Sequence, residues 1–422
     1  MMITRRDFIK KTATGVALAG AATGLPINVF AKDKVIKIGM NIPMTGDYAP
    51  WGLPGLYGCE IIVDDINANG GVRIGNTDYK IEMIPFDHTY DTEKTIQGYK
   101  KLVYEDGVKM VMMLGGSTVS SILSLAKRRK MLTTTLLPSD ITPKSEYLIA
   151  TCESHPLYNV TGVEWLAEKY PDAKTAVIVT NNDVEWGLQS ASTYQAAFEV
   201  AGIEVVDVNL HGFAVTDFAP IVSSVLAKKP DIFCMATSFY TTSLMEQLYH
   251  QGFKGKIVSC TLDYYNEVIA KTSKEFVNGT IFQFPDFDDP ALLQEGIHFP
   301  DPNGFYAKFI KDHPNDWSAV AWEYPAILLN WIEGAKEAGS IEPTDILKAL
   351  KSNKKPNFVF GGGRWWGSKL WGLDNAIVGR WPVVVIEDGK AVIQEFRSLT
   401  GWLDKNSDVL RKHMKAHGLP IV

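Results

Sequence analysis

The chain has few cysteines, and they do not form the pairs that hold a metal ion or a redox site. Its 422 residues include four, and none of them is part of a C-x-x-C pair or lies at zinc-ligand spacing from a histidine. Cys234 and Cys260 lie in apolar runs, so we expect burial as small hydrophobic side chains. A disulfide is the alternative in an oxidising compartment. The four cysteines are Cys59, Cys152, Cys234 and Cys260.

The common catalytic and nucleotide-binding signatures are also missing. The sequence contains neither G-x-S-x-G nor H-E-x-x-H, and the run Gly115-Gly116-Ser117-Thr118 lacks the lysine of a Walker loop. Gly52, Gly55 and Gly58 have the spacing G-x-x-G-x-x-G, which differs from the dinucleotide fingerprint. We therefore expect no cofactor, no metal and no catalytic residues.

Positive charge is scarcer than negative charge, and long apolar runs are missing. The chain has 42 lysines and arginines against 48 aspartates and glutamates, a net charge of −6. Nucleic-acid binding needs clustered basic residues, so a nucleic-acid partner is not expected. Beyond the N-terminus, no segment approaches the 18 or so uninterrupted apolar residues of a membrane helix.

Residues 1–31 have the pattern of an export signal. Arg5 and Arg6 precede Phe8, an apolar stretch runs from Ala13 to Leu25, and small residues precede a possible cleavage after Ala31. Twin arginines in this setting are typical of the twin-arginine translocation signal. We expect cleavage after Ala31 and a periplasmic mature protein.

The rest of the chain alternates between short apolar runs typical of buried strands and amphipathic segments typical of helices. Two such series follow one another, which predicts an α/β fold with two doubly wound lobes joined by short hinge crossings. A crevice between two such lobes is a natural ligand site. The predicted strands are 35–40, 81–86, 110–114, 131–137, 176–180, 205–208, 232–236 and 257–260.

The division into lobes follows from where each series begins and ends. We expect the N-terminal lobe in residues 32–154 and about 285–360, and the C-terminal lobe in 155–284 and about 361–380. The alternation around Glu387-Asp388-Gly389 predicts a hairpin within a C-terminal tail of residues 381–422.

Several candidate site residues lie at the expected carboxyl ends of strands. Tyr48 and Trp51 lie in a loop of this kind, where aromatic side chains either line a pocket or pack the loop. Gly115-Gly116-Ser117-Thr118 opens a helix, so its amides and hydroxyls predict either an anion site or an ordinary helix cap.

The sequence resembles the branched-chain amino-acid (Leu/Ile/Val) binding protein family, the type I periplasmic substrate-binding proteins of ABC transporters. Similarity extends over nearly the whole mature chain and is most specific in its first hundred residues. The motifs that carry it are Ile38-Gly39-Met40, Pro43-Met44-Thr45-Gly46, Trp51-Gly52, Ile66-Asn67-Ala68-Asn69-Gly70-Gly71-Val72, Phe86-Asp87 and Ser117-Thr118.

The resemblance implies roles for individual residues. A turn at Ser117 and a second loop at Pro138-Ser139-Asp140 would hold the α-carboxylate and α-amino groups of an amino acid. Trp186 and Phe239 or Tyr240 would close over the ligand from the second lobe, and Trp51 would line the side-chain pocket. The residues implied, together with the loop candidates, are Tyr48, Trp51, Ser117, Thr118, Ser139, Asp140, Trp186, Tyr240 and Asp263, the last as partner of an amino group.

The chain departs from the family pattern at Asp140, where a carboxylate would repel a ligand carboxylate nearby. Together with the many aromatic candidates, this leaves an aliphatic amino acid, an aromatic or hydrophobic carboxylate and an amide open as ligands.

The function that the resemblance implies is capture of a small molecule and its delivery to an ABC transporter permease by a monomer. A ligand-sensing receptor domain is one alternative. The other is an enzyme exported by the twin-arginine route, which would need an acid–base pair such as Asp87 with His88 or Glu153 with His155 in the cleft.

Overall fold

The structure is a computed structural model that describes residues 34–237 and 240–422. The expected leader in residues 1–31 and the candidate Phe239 lie outside the described residues. The strands are β1 (Lys34–Ile42), β2 (Val72–Ile74), β3 (Thr77–Asp87), β4 (Val111–Met113), β5 (Thr133–Thr134), β6 (Leu148–Ile149), β7 (Thr175–Asn181), β8 (Glu204–His211), β9 (Ile232–Met235), β10 (Lys256–Ser259), β11 (Ile281–Phe282), β12 (Arg364–Trp366), β13 (Ala376–Val378), β14 (Arg380–Glu387) and β15 (Lys390–Ser398).

Thirteen of the strands form two large sheets, one of six and one of seven strands, whose parallel strands have the same order. In the first sheet the order is β2-β3-β1-β4-β5-β6, and in the second it is β15-β14-β11-β10-β9-β7-β8. The central pairs of both sheets are parallel, whereas β2, β14 and β15 pair antiparallel at the edges. Strand β1 lies between β3 and β4, and strand β7 lies between β8 and β9, so the strand order reverses at β1 and at β7. Two doubly wound parallel sheets confirm the expected fold class.

Helices cover both sheets because the parallel strands are buried on both faces. Strand β9, for example, has the sequence Ile-Phe-Cys-Met and is buried throughout. The helices are α1 (Leu53–Ala68), α2 (Thr92–Lys100), α3 (Ser117–Ser120), α4 (Leu123–Arg129), α5 (Asn159–Lys169), α6 (Gly187–Ala201), α7 (Ala219–Leu226), α8 (Thr241–His250), α9 (Tyr265–Lys271), α10 (Lys274–Val277), α11 (Pro302–Asp312), α12 (Val320–Ala338), α13 (Pro343–Ser352), α14 (Ser368–Trp371) and α15 (Leu399–Ala416).

The chain passes between the two sheets three times. Residues 150–158 connect β6 to α5, residues 283–301 connect β11 to α11, and Gly379 connects β13 to β14. Strands β12 and β13 lie beside the first sheet, since the amide of Ile377 donates to the Ala150 carbonyl and the Asn375 side chain donates to the Leu148 carbonyl.

These contacts differ from the expectation for residues 361–380, which was the C-terminal lobe. The hairpin β14–β15 and helix α15 extend the second sheet and its cover, so residues 381–422 do not form a separate tail. We propose a first lobe of residues 34–149 and 302–378 and a second lobe of 159–282 and 380–422. Strands β12 and β13 have three residues each, which is too short for an alternation of apolar and polar residues to indicate which sheet they lie beside.

The three glycines at three-residue spacing allow helix α1 to pack closely. A Cβ on Gly55 would overlap the ring of Tyr324, and one on Gly58 would overlap the backbone carbonyl of Ala321, both in α12. A Cβ on Gly52 would overlap the Pro43 carbonyl in the preceding loop. The spacing therefore has a packing cause and no nucleotide is needed to explain it.

We expect Gly58→Ala to lower the free energy of unfolding by about 1–3 kcal/mol, the usual cost of overpacking a core. Alanine in a helix gains up to about 1 kcal/mol over glycine, but the obstacle here is a backbone carbonyl that cannot rotate away. Denaturant unfolding measures the change. Gly212→Ala is the matched control, because no atom lies within 4 Å of its added Cβ. Equal stability of the two variants would contradict this packing account.

All four cysteines are buried free thiols, which confirms burial as small apolar side chains. Burial raises the pKa of each thiol, in the case of Cys260 to about 12.

Candidate functional site

A cavity of about 130 Å³ lies between the two lobes, at the carboxyl ends of strands from both sheets. The first lobe contributes the loops after β1, β3, β4 and β5 and the start of α12. From the second lobe come the loops after β7, β8 and β10. Two further lining residues, Glu153 and Phe284, lie on crossings. The lining residues are Tyr48, Trp51, Tyr90, Leu114, Gly115, Ser117, Leu136, Leu137, Glu153, Asp183, Glu185, Trp186, Phe213, Thr261, Phe284, Ala319, Val320 and Glu323.

Aromatic rings form much of the cavity wall. Tyr48 stacks on Tyr90 with ring centroids 4.0 Å apart and planes 7° apart. On the opposite lobe, Trp186 stacks on His155 with centroids 3.8 Å apart and planes 12° apart. Such stacking fixes the orientation of each ring before a ligand arrives, so little side-chain entropy remains to be lost on binding.

The two tryptophans occupy equivalent places in the two lobes. Trp51 precedes Gly52 at the start of α1, after the first strand of the first sheet, and Trp186 precedes Gly187 at the start of α6, after the first strand of the second sheet. Each glycine is required because a Cβ would overlap a carbonyl of the preceding loop, that of Pro43 for Gly52 and that of Asn181 for Gly187. The close approach turns the loop so that its tryptophan lines the cavity.

The glycine turn before Ser117 is hydrogen-bonded to the side-chain carboxyl group of Asp140. The amide of Gly116 lies 3.1 Å from both carboxyl oxygens of Asp140, and the Thr135 hydroxyl donates to Asp140 at 2.6 Å. Thr118 donates to the Gly115 carbonyl and does not line the cavity. The turn was predicted to be either an anion site or an ordinary helix cap, and its Gly116 amide is bonded to a carboxyl group of the protein itself.

Burial has a large effect on the Asp140 carboxyl group. It raises the pKa to about 7, although the hydrogen bonds from Thr135 and Gly116 partly oppose the shift. Asp140 lies behind the turn and is not among the lining residues. A ligand carboxylate in the cavity would therefore not contact the Asp140 carboxyl group directly, although the sequence led us to expect repulsion between the two.

The remaining candidates lie at different distances from the cavity. Ser117, Trp51, Tyr48 and Trp186 line it. Ser139 lies in the turn after β5 without lining it, and the Tyr240 hydroxyl donates to the Phe213 carbonyl at 3.0 Å, which places Tyr240 behind the lining Phe213.

Asp263 lines a smaller neighbouring cavity that shares Trp51 and Thr261 with the main one. Its carboxyl group accepts a hydrogen bond from the amide of Ala319, and burial raises its pKa to about 7. Asp263 therefore lies one layer outside the main cavity, next to the start of α12.

Acidic side chains are the charged groups of the cavity. Glu153, Asp183, Glu185 and Glu323 line it, and among the described lining residues there is no lysine, arginine or histidine. Asp183 accepts from the amides of Trp186 and Gly187 at 2.7 and 3.2 Å, which fixes the start of α6. Burial raises the pKa of Glu153 and of Glu323 well above the ordinary range.

The two histidines considered for acid–base chemistry are neutral and lie outside the lining. Burial lowers the pKa of His155 well below its ordinary value, and its Nε2 atom is bonded to the Ser190 hydroxyl at 2.8 Å. Burial likewise lowers the pKa of His88 to about 4, and its Nδ1 accepts from the Tyr90 amide. Within the described ranges, no group of three or more His, Cys, Asp or Glu side chains could hold a metal ion.

Four of the 18 lining residues, Tyr48, Trp51, Ser117 and Trp186, were candidates, so sequence reasoning missed most of the wall. Tyr90, Phe213 and Phe284 lie in loops without a motif, and Glu323 lies in the first turn of α12. Glu153 was considered only as a partner of His155. A usable signal was the pair Asp183 and Glu185 directly before Trp186, since both acids flank a residue already implied in the site.

Comparison with known proteins places this geometry in a family. The family described as periplasmic binding protein matches residues 35–390. The chain is 24% identical over 346 residues to the Leu/Ile/Val-binding protein of Citrobacter freundii, which covers 80% of this chain and 89% of that protein. It is 25% identical over 276 residues to the gamma-aminobutyric acid type B receptor subunit 1 of Mus musculus, over 62% of this chain but only 27% of the receptor's length.

A solved structure shows the same fold. The fatty acid ABC transporter substrate-binding protein from Thermomonospora curvata superimposes with a TM-score of 0.68 at 19% identity, over 90% of this chain and 94% of that chain. None of the helices within residues 34–237 and 240–422 is long and apolar enough to cross a membrane. Because the family match extends over most of the sequence, the chain belongs to the periplasmic binding protein family.

Proposed function

We propose that this protein is a solute-binding protein, which captures one small organic molecule in the cavity between its lobes and delivers it to an ABC transporter permease. The observation that carries the proposal is the cavity itself, because loops from both lobes and two of the three crossings contribute to its wall. A ligand there would bridge the lobes, so its binding would favour the closed arrangement.

The cleft is narrow at its rim, which supports this mode of capture. A Cβ on Gly116 of the first lobe would lie 3.4 Å from the Cγ of Glu185 in the second. Rotation about the crossings at 150–158, 283–301 and 379 would separate the two sides and widen the entrance for a ligand. We propose that Tyr48, Trp51, Ser117 and Trp186 contact the ligand, and that Thr118, Ser139, Asp140, Tyr240 and Asp263 support the wall.

The family implies a location in the periplasm or outside the cell. Export by the twin-arginine route and cleavage after Ala31 are proposals that rest on the sequence pattern alone. Partnership with a permease is a proposal by analogy with relatives named as ABC transporter proteins. A sensing role is supported by the partial similarity to a receptor subunit. Enzymatic activity has weaker support, since the two histidines it would need lie outside the lining.

A thermal-shift screen of residues 32–422 tests the proposed function. The compounds are amino acids, carboxylates, amides and amines of small size. A ligand present at 100 times its Kd stabilises the folded protein by about 2.7 kcal/mol, which is readily detected as a rise in Tm. If no class of small molecule stabilises the protein, the proposal is wrong.

A further inference from the structure

Two buried glutamates face the cavity with oxygen atoms that lack a partner. Glu153 is 3% exposed and Glu323 is 1% exposed, and both line the cavity. Within the described part of the chain, the Oε1 atom of each has no hydrogen-bond partner. Buried polar atoms are nearly always paired with protein or water, so an unpaired carboxyl oxygen at a cavity wall is a place where a donor group of a ligand can bind.

Among the described residues, no cation is found acting on these carboxyl groups. Glu153 and Glu323 act on each other, and the other titratable groups that interact with them are Asp140, Asp263, Cys152, Cys260, Tyr158 and Tyr324, all of them acids or neutral donors. Tyr158 is a hydrogen-bonding neighbour of Glu153, and the Oε1 atom of Glu153 has no partner among the described residues. Two more lining acids, Asp183 and Glu185, add negative potential from the second lobe.

The aromatic walls complement the acids. The faces of tryptophan and tyrosine rings attract cations, and quaternary or protonated amines are recognised by aromatic groups of this kind. Trp51, Trp186 and the stacked pair Tyr48 and Tyr90 all line the same cavity. Carboxyl groups beside aromatic faces, without a basic residue in the described lining, suit a cation better than a carboxylate.

We propose that the ligand is an organic cation, an apolar body with a protonated amine or quaternary ammonium group placed between Glu153 and Glu323. The inference rests on the proposed function and names its ligand class. The amide of Gly116, in the turn considered as an anion site, is bonded to Asp140 and is therefore not available to a ligand carboxylate.

The proposal has a consequence for pH. Burial raises the pKa of Glu153 and of Glu323, which favours the protonated form of each in the empty protein. A cation favours the ionised carboxylates, so its binding releases protons and its affinity rises with pH. A carboxylate ligand would need the protonated acids as donors, and its affinity would fall as pH rises. The sign of the dependence thus separates the two ligand classes.

The experiment compares probes of one shape and different charge by calorimetry. One set is benzylamine, benzyl alcohol and benzoate, and the other is choline, 3,3-dimethyl-1-butanol and 3,3-dimethylbutanoate. We expect at least one cation to bind at least tenfold more tightly than its neutral and anionic counterparts at pH 7.5. The affinity of that cation should fall at pH 5.5, and titration in buffers of different ionisation enthalpy should show proton release.

Two variants test the residues. Glu153→Gln and Glu323→Gln keep the side-chain shape, and each should reduce the preference for the cation over the alcohol by at least tenfold. Glu82→Gln is the matched control, because Glu82 is an exposed acid of strand β3 outside the cavity, and it should leave the preference unchanged. Circular dichroism confirms the fold of each variant.

The outcomes distinguish this inference from the proposed function. If an anion or neutral compound binds more tightly than either cation, or if neither cation binds, the inference is overturned, while a hit of another class in the thermal-shift screen still supports solute binding. If the cation binds but the two glutamine variants behave like Glu82→Gln, the assignment to Glu153 and Glu323 is overturned.

Discussion

Trp186→Ala should weaken ligand binding by about 2–4 kcal/mol, the range for a central tryptophan of a binding site. The ring lines the cavity and is held by its stack on His155, so truncation removes one wall and admits water. Its Nε1 atom is buried and has no hydrogen-bond partner among the described residues, which leaves it available to an acceptor on the ligand. Calorimetry with a ligand from the screen measures the loss.

Trp365→Ala is the matched control for this variant. Trp365 is also half-buried, but its indole donates to the Leu350 carbonyl at 3.1 Å and its ring lies outside the cavity. It should lower stability without changing affinity. An equal effect of both variants on binding would show that Trp186 acts through general destabilisation and not through the wall.

Glu323→Gln should stabilise the ligand-free protein at neutral pH, and the gain should grow by about 1.4 kcal/mol for each pH unit between the ordinary pKa of Glu323 and its raised pKa. The folded state holds the proton of Glu323 more tightly than the unfolded chain does, because burial raises its pKa above the ordinary value of 4.5. Its contribution to stability is therefore complete below about pH 4.5 and is lost as pH rises towards the raised pKa. Glutamine cannot ionise, so it removes that loss.

Thermal unfolding at a series of pH values checks this sign. The difference in Tm between Glu323→Gln and the wild type should be small near pH 4 and should grow as the pH rises towards 8. The same residue would then favour ligand binding and disfavour the empty fold, a common relation at functional sites. A variant that is less stable than the wild type at pH 8 would mean that Glu323 has a stabilising partner.

Sequence reasoning identified the fold because the burial of strands and helices produces a pattern of apolar residues that can be recognised in the sequence. Strand β9 is apolar throughout, and the segment 187–201 has the helical period of α6. Both features are local, and a parallel sheet covered by helices follows from their alternation.

Elements shaped by side-chain hydrogen bonds were less well predicted. The helix expected to open at Gly115-Gly116-Ser117-Thr118 is two helices, α3 and α4, because the hydroxyls of Ser120 and Ser121 bond back to the carbonyls of Ser117 and Thr118. Serine competes in this way with the regular helix, and the apolar period does not show it.

The candidate site was most predictable where a tryptophan stands directly before a glycine at the end of a strand. Trp51-Gly52 and Trp186-Gly187 each indicate a tight turn next to a large aromatic ring, and both tryptophans line the cavity. Glu153 and Glu323 carry no such signal, since one lies on a crossing and the other in the first turn of α12. Glu153 and Glu323 come together through the packing of the crossing against α12, and no periodic pattern in the sequence indicates that packing.

Calorimetric titration of a cavity-filling variant tests the central claim most directly. Leu114 lines the cavity and is half-buried, so Leu114→Trp places a ring where the ligand should lie. Leu210→Trp, at an exposed position of β8, is the matched control. We expect one ligand per chain in the wild type and in Leu210→Trp, and none in a folded Leu114→Trp. Unchanged affinity and stoichiometry in Leu114→Trp would contradict the assignment of this cavity as the ligand site.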